Sequence, residues 1–516
     1  MASPQPHPGR WWTLVAVCVS VFMLLLDITI VNVALPDIAR SLGSSFTDLQ
    51  WVIDAYALSL AAFLLTAGSL ADLLGRRLVF AGGLALFTGA SLLCGLSGSP
   101  MLLNLARGLQ GIGGAAMFAT SLALLAHAFR GPERGTAFGI WGATTGAAVA
   151  VGPLVGGVIT ENIGWEAIFF INIPIGIAAV WVTLTRVEES RDPQASGVDW
   201  AGLVTFSGGL FLLVFALVRG NAEGWGSTLI TGFLIGAAVL LAAFLVVERR
   251  QQRPMLDLSL FRRPAFAGVS LAAFCLSASM FSMFLYLTLY LQNALGYEPL
   301  ETGLRFLPIT ILSFAVAPVA GKLSARVAPR LLIGGGLLLV GAGLLLMRGL
   351  DAGSGWTALL AGFIVAGAGI GMTNPPLAST AVGIVPPARS GMASGINNTF
   401  RQVGIATGTA GLGAIFQHVL QQKVTDAFAH GPPRIQALVE RLPVEAYANG
   451  DPGRFASVPG GRAAYLGAFT ASMNTILLVA ACVALAGAVL SLLLVRAPAH
   501  AAAAPAEAVP AQSVAR

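Results

Sequence analysis

Long apolar stretches separated by short polar connectors fill the chain from Trp11 to Arg496. A helix needs about 20 apolar residues to cross the ~30 Å hydrocarbon core of a bilayer. The pattern predicts fourteen such helices. They are placed at 12–34, 51–71, 78–98, 101–127, 135–160, 165–186, 199–219, 227–247, 265–291, 302–322, 331–349, 357–383, 394–418 and 465–495. Because little chain is left for a soluble domain, the function must reside in the membrane part.

Basic residues concentrate in alternate connectors, and this asymmetry predicts the topology. The connectors on one side contain Arg76, Arg77, Arg130, Arg134, Arg186, Arg191, Arg249, Arg250, Arg253, Arg262, Arg263, Lys322, Arg326, Arg330 and Arg389. The short connectors on the other side contain Arg40, Arg219, Arg305 and Arg348. Lys and Arg favour cytoplasmic connectors, so both termini are predicted to lie in the cytoplasm. The Ala-, Gly- and Arg-rich, Lys-poor composition indicates a GC-rich bacterial genome, and so a bacterial plasma membrane. A count of twelve or thirteen spans would break this alternation.

The composition excludes several classes of function. The chain of 516 residues is 56% hydrophobic and 10% charged, whereas soluble domains are ~25% charged. We attribute the net charge of +6 to topology and predict no nucleic-acid partner. The five histidines show no ligand spacing and the four cysteines no paired motif, so no metal site is expected. Without a GxxxxGK[ST] sequence, an ion gradient is the expected driving force, with no cofactor.

One connector carries a candidate gate. Residues 68–80 read GSLADLLGRRLVF. Asp72 is followed one turn later by Arg76 and Arg77, while Gly68 and Gly75 permit a tight turn and close helix approach. An acidic residue at a helix end, with basic residues beside it, can form a salt-bridged latch between helices.

Three further motifs complete a recognisable set. They are LDITIVNVALP at 26–36, LARGLQGIGGAA at 105–116 and GAAVAVGPLVGG at 146–157. Together with residues 68–80, they resemble the major facilitator superfamily, and within it the fourteen-span drug:proton antiporters of the multidrug efflux group. The resemblance covers nearly the whole chain.

The resemblance implies an all-α integral membrane fold with two six-helix bundles, two extra linking helices and 14 transmembrane helices. It divides the chain into a cytoplasmic N-terminus (1–11), an N-terminal bundle (12–190), the linking helices (199–250) and a C-terminal bundle (260–496). We expect a long extracytoplasmic loop at 419–464, whose middle has the pattern of a short amphipathic helix, and a disordered cytoplasmic tail at 497–516. The loop is either a solvated loop or a substrate-binding lid.

Ionisable residues inside the spans are the best guide to mechanism, because such groups are expensive to bury and are usually functional. Asp27, Asp54 and Arg107 are all predicted in the outer half of the N-terminal bundle, at overlapping depths. Burial raises a carboxylate pKa and a nearby cation lowers it. Movement of Arg107 relative to Asp27 would therefore switch proton affinity, as a proton-coupled exchanger requires.

Each of these residues also has a structural interpretation. Arg107 can tie helices together through backbone carbonyls, Asp27 can be a hydrogen-bond acceptor, and Asp54 can be a solvated cap. In the family that the sequence resembles, acidic residues at the Asp27 and Asp54 positions are linked to proton coupling and cationic drug binding. Span thirteen lacks the carboxylate of some relatives, which suggests poor handling of dicationic drugs or a preference for neutral, zwitterionic or anionic substrates.

Span five contains Gly152, Pro153, Gly156 and Gly157. The resemblance implies that this is the antiporter motif, a flexible seal between the bundles; the alternative is a simple packing and kink site. The prolines after Asn374 predict a break in span twelve, which either lines the substrate path or is an ordinary kink. The candidates for the substrate path are Asn32, Trp51, Tyr56, Gln110, Asn374, Asn397 and Arg401.

The leading hypothesis is a proton-coupled antiporter that exports small amphipathic compounds, such as drugs and antibiotics, by alternating access. Its expected partners are a small-molecule substrate, protons and membrane lipid, and one chain is expected to work as a monomer. The alternatives are a dedicated exporter of one endogenous secondary metabolite, or a proton symporter. An integral-membrane enzyme or receptor is the rival from another class, but no convergent catalytic groups are evident at a membrane face.

Overall fold

The computed structural model describes residues 9–44, 46–193, 197–251, 254–428 and 461–495, and this part of the chain is helical without strands. The helices are α1 (Arg10–Leu42), α2 (Phe46–Leu74), α3 (Arg76–Gly95), α4 (Pro100–Ala128), α5 (Pro132–Asn162), α6 (Ala167–Phe170), α7 (Asn172–Arg186), α8 (Trp200–Glu223), α9 (Thr228–Arg250), α10 (Pro264–Leu276), α11 (Ser282–Leu289), α12 (Pro299–Arg305), α13 (Leu307–Leu323), α14 (Pro329–Leu346), α15 (Leu360–Gly383), α16 (Ser390–Phe428) and α17 (Gly461–Leu494).

Helix boundaries follow from local sequence signals. The side chains of Ser99, Asp199 and Ser227 each accept a backbone N–H bond at the start of α4, α8 and α9, which satisfies a donor that the first turn leaves free. Gly43 ends α1 in the left-handed conformation with φ 60°, and Gly75, with φ 118°, separates α2 from α3. Such backbone angles favour glycine.

Twelve helical segments in the described part of the chain are long and apolar enough to cross a membrane. The predicted spans 135–160 and 302–322 correspond to α5 and to α12–α13, which are not among the twelve; Leu307–Leu323 is a shorter apolar helix. Helical segments therefore lie at all fourteen predicted positions, and the number that cross the membrane stays a prediction.

Buried apolar side chains form two large cores. One runs through α1–α5 and α7 and continues into α8–α10, the end of α15 and the N-terminal half of α16. The other fills α10–α17. The linking helices α8 and α9 pack on each other through Phe206 and Phe244, whose ring centroids are 4.9 Å apart. A hydrogen bond of 3.0 Å joins Ser207 of α8 to Thr66 of α2.

Two sequence predictions about the second half need correction. The loop predicted to begin at 419 begins later, because α16 continues to Phe428; polar but helix-compatible residues follow the apolar run there, without Gly or Pro. The break predicted at Asn374 is wrong, because α15 runs through Pro375 and Pro376 without interruption. Residues 429–460, which include the amphipathic segment, and the tail at 497–516 lie outside the described residues.

Candidate functional site

A buried ion pair lies inside the first bundle. Arg107 on α4 donates from Nη1 to the Asp27 carboxylate on α1 at 2.5 Å, and the two residues are 2% and 1% exposed. The Arg107 Nε donates to the backbone carbonyl of Val52 on α2 at 2.9 Å. Its guanidinium also lies over the Tyr56 ring, 4.2 Å from the centroid. Arg107 therefore connects α4 to both α1 and α2.

Amide and hydroxyl groups complete this network. Gln110 Nε2 donates to Asp27 Oδ1 at 2.8 Å and to Ser91 Oγ at 2.8 Å. Asn172 Nδ2, at the start of α7, also donates to Asp27 Oδ1, at 3.2 Å. The sequence predicts Gln110 as a path candidate, but it does not predict Asn172 or Ser91 in this network. An asparagine within an apolar run, in INIPIG at 171–176, was the available signal for Asn172.

Asp54 belongs to a different cluster from the one the predicted depths suggested. Its Oδ2 lies 3.7 Å from Nη1 of Arg219 on the linking helix α8. Arg219 also donates to Gln50 and Glu223 at 2.6 and 2.8 Å. Depth along a helix does not specify rotation about its axis, so Asp54 faces Arg219 although its predicted depth overlaps that of Arg107. Arg219 itself is buried within α8 and is not a connector residue.

The two aromatic path candidates on α2 have different surroundings. Tyr56 is buried, and its hydroxyl donates to the carbonyl of Leu24 at 3.4 Å. Trp51 packs on Phe215 of α8, with ring centroids 5.7 Å apart. Neither contact involves the second bundle; Tyr56 supports Arg107, and Trp51 covers the linking helix.

A polar latch joins the two bundles at one end of the molecule; we use this name for Asp72, Arg76 and the 387–392 segment. Asp72 pairs with Arg76 at 2.8 Å. Its oxygens accept the backbone N–H groups of Gly391 and Met392 at 2.9 and 2.8 Å. These N–H groups belong to the first turn of α16, where the helix dipole favours a negative charge. The carboxylate of one bundle thus caps a helix of the other.

Arg76 closes the latch from the other direction. Its Nη2 donates to the carbonyls of Pro387 and Ala388 at 2.7 and 2.6 Å. Gly68 permits the close approach, because a side chain there would overlap the Gly391 carbonyl. Arg77 stays within the first bundle: its backbone N–H donates to Glu189 Oε1 at 3.0 Å.

Two glycine faces of α5 have different neighbours, and they correct the expected seal. Gly152 and Gly156 pack against Thr29 and Ile30 of α1, inside the first bundle, and Gly157 has open space beside it. Four other glycines of α5 face α13 and α15 of the second bundle: Gly135, Gly139, Gly142 and Gly146. In this structure the boundary between the bundles is lined by this second set, of which only Gly146 lies in the motif at 146–157. The side chains of Asn32 and Pro153 lie outside the described part.

A second buried cation lies in the other bundle. Arg401 on α16 donates from Nη1 to Asn374 Oδ1 on α15 at 2.9 Å and from Nε to Asn397 Oδ1 at 3.3 Å. These three path candidates are therefore brought together. Asn398 donates across the bundle boundary to the carbonyl of Phe118 on α4, at 2.9 Å.

Comparisons with known proteins agree with this architecture. A family model described as the Major Facilitator Superfamily matches residues 17–409. The Multidrug resistance protein Stp of Mycobacterium tuberculosis is 40% identical over 405 residues, which cover 78% of this chain and 75% of that protein. The Puromycin resistance protein pur8 of Streptomyces alboniger is 38% identical over 419 residues, covering 80% and 83%. The crystal structure of the human organic anion transporter MFSD10 (TETRAN) has a TM-score of 0.59 at 16% identity and covers 93% of this chain and 100% of that chain; this similarity concerns the fold alone.

Proposed function

Because this chain belongs to the major facilitator superfamily, whose members are transporters rather than enzymes, we propose that it exchanges cytoplasmic drugs for external protons. It is a multi-pass membrane protein with many apolar helices. Relatives named for multidrug and puromycin resistance support small amphipathic compounds, drugs and antibiotics among them, as the cargo. The proton gradient is the proposed energy source, without a cofactor.

The observation that carries the proposal is the buried Asp27–Arg107 pair. Both groups are sealed from water, so movement of Arg107 would leave a buried carboxylate charge without its cation, which is strongly unfavourable. Asp27 has amide donors from Gln110 and Asn172 besides Arg107. Protonation would remove the charge that holds Arg107, while the amides keep the neutral group in place.

The network is connected to the latch through one helix. Arg107 bonds the Val52 carbonyl and covers Tyr56, both on α2, and α2 carries Asp72 at its other end. Release of Arg107 therefore acts on the same helix whose far end holds α16. We propose that proton binding at Asp27 shifts α2 and so changes the strength of the latch during alternating access.

The proposed setting is the bacterial cell membrane, with both termini and the latch in the cytoplasm. The alternation of basic connectors supports this orientation. One chain supplies both bundles and the boundary between them, which supports a functional monomer. Small molecules, protons and membrane lipid are the proposed partners.

Purified protein in proteoliposomes that enclose a pH-sensitive dye tests the proposal. A pH gradient is imposed and puromycin or ethidium is added to wild type and Asp27→Asn. We expect drug-triggered proton flux in wild type and its loss in Asp27→Asn, because the amide cannot carry the proton. Asp37→Asn is the matched control, since Asp37 lies on the same helix and pairs with Arg40.

The other outcomes are equally informative. Flux that survives in Asp27→Asn would keep the antiporter and move proton coupling elsewhere, with Asp54 as the next candidate. In wild type, proton movement in the same direction as drug movement would indicate a symporter. No flux with any drug would overturn multidrug export and favour a dedicated exporter of one metabolite.

A further inference from the structure

Arg401 differs from the other buried arginines. The described residues include four buried arginines, at positions 76, 107, 219 and 401. The first three have carboxylate partners, namely Asp72, Asp27 and Asp54. Arg401 is 7% exposed, and its bonds in the described chain go to neutral amide oxygens. An uncompensated buried charge is strongly unfavourable. The Arg401 charge would therefore be stabilised by an anionic partner that is not part of the described chain.

Unsatisfied polar atoms cluster around this cation. Five residues of α16 carry such atoms; Thr399 is one of them, and the other four follow one another at helical spacing on one face. On this face, four atoms lack a hydrogen-bond partner in the described chain: Ser394 Oγ, Asn397 Nδ2, Asn398 Oδ1 and Arg401 Nη2. Buried polar groups are normally hydrogen-bonded. Two of these atoms are obligate donors, and both belong to the Asn397–Arg401 pair.

This face of α16 is directed to the boundary between the bundles. Asn398 bonds the Phe118 carbonyl of α4, and the Phe118 ring stacks on Trp141 of α5 at 6.3 Å. The indole N–H of Trp141 is also buried without a partner. Asn374, which binds Arg401, lies beside Gly142 of α5. Two aromatic rings and a set of free donors thus meet where α4, α5, α15 and α16 come together.

We propose that Arg401 and Asn397 bind an anionic group of the transported compound, a carboxylate or a phenolate, with the Phe118 and Trp141 rings packing on its apolar body. This inference rests on the proposed export function and names its substrate class. A guanidinium and an amide N–H₂ supply converging donors to one or two acceptor oxygens. The buried carboxylates of the first bundle are occupied by their own arginines, so they do not compete for Arg401. The second half then recognises an anion while the first half handles the proton.

Binding of rhodamine B and its methyl ester tests this directly, because the two dyes differ by one carboxylate. Purified full-length protein in nanodiscs is titrated with each dye by fluorescence anisotropy. We expect wild type to bind rhodamine B more tightly than the ester by about tenfold or more, from charge-assisted hydrogen bonds. Arg401→Gln should abolish this preference, and Arg401→Lys should retain part of it. Arg326→Gln, an exposed arginine in the connector after α13, should leave it unchanged.

Equal affinity for both dyes in wild type, failure to bind rhodamine B, or a preference that survives Arg401→Gln would each overturn the inference. Arg401→Gln that lowers affinity for both dyes equally would indicate a structural role and would also count against it. The proteoliposome assay with puromycin distinguishes failure of the anion site from failure of the proposed export function. Drug-triggered proton flux in wild type, without a carboxylate preference, would refute only the anion site.

Discussion

Asp72→Asn should open the end of the molecule that the latch closes. The carboxylate accepts two backbone N–H bonds from α16, and each charge-assisted bond contributes a net ~1.5–3 kcal/mol. The amide keeps one neutral acceptor, worth ~0.5–1.5 kcal/mol. The closed arrangement therefore loses about 2–5 kcal/mol of stability. This lowers the closed-to-open ratio by a factor between about thirty and a few thousand.

Double electron–electron resonance measures this shift. Spin labels at Arg130→Cys and Ala325→Cys, in a protein whose four native cysteines are replaced, report the separation of the bundles at the latch end. We expect Asp72→Asn to increase the long-distance population at the expense of the short one. Asp37→Asn is the matched control, because it also removes a carboxylate from an ion pair but Asp37 pairs with Arg40 on α1, away from the latch. A distance distribution for Asp72→Asn that matches wild type would refute the reasoning.

Two further substitutions test other contacts. Gly321→Val should hold the bundles apart, since a side chain there overlaps the Gly135 carbonyl, and we expect drug-triggered proton flux to fall by about tenfold or more. Gly82→Val is the control and should transport normally, because Gly82 has open space around it. Full transport activity of Gly321→Val would contradict the close approach of the two helices. Arg219→Gln leaves the buried Asp54 carboxylate without its cation and should destabilise the protein by about 3–5 kcal/mol. A thermal unfolding scan should show a lower Tm that Asp54→Asn partly restores in the double variant; two additive losses would show that the pair is not coupled.

Sequence patterns predicted the features whose signal is local. Charges within apolar runs are conspicuous, so Asp27, Arg107 and Arg401 could be found directly. The spacing of Asp72 and Arg76 predicted a salt-bridged latch, and the structure has that ion pair. The roles of these residues in proton coupling and substrate binding stay predictions.

Other features depend on neighbours that sequence spacing does not specify. Arg219 comes at the end of an apolar run and was therefore interpreted as a connector residue, although α8 continues for one more turn to Glu223. The small residues of α5 form two faces, and spacing alone does not say which face meets α1 and which meets α13. Asn172 reaches Asp27 from the junction of α6 and α7, and this contact depends on how α7 packs against α1. Rotation about a helix axis and the choice of neighbour come from packing of the whole molecule.

The linking helices have a consequence for protein engineering. Excision of 199–250 as a cassette, to leave two bundles joined directly, would remove more than a spacer. Asp54 would lose Arg219, and Trp51 would lose Phe215. The carbonyl of Ala410 on α16 would lose the Asn221 side chain. The shortened protein would need a replacement cation and new apolar cover on α2, so the two helices are not a removable module.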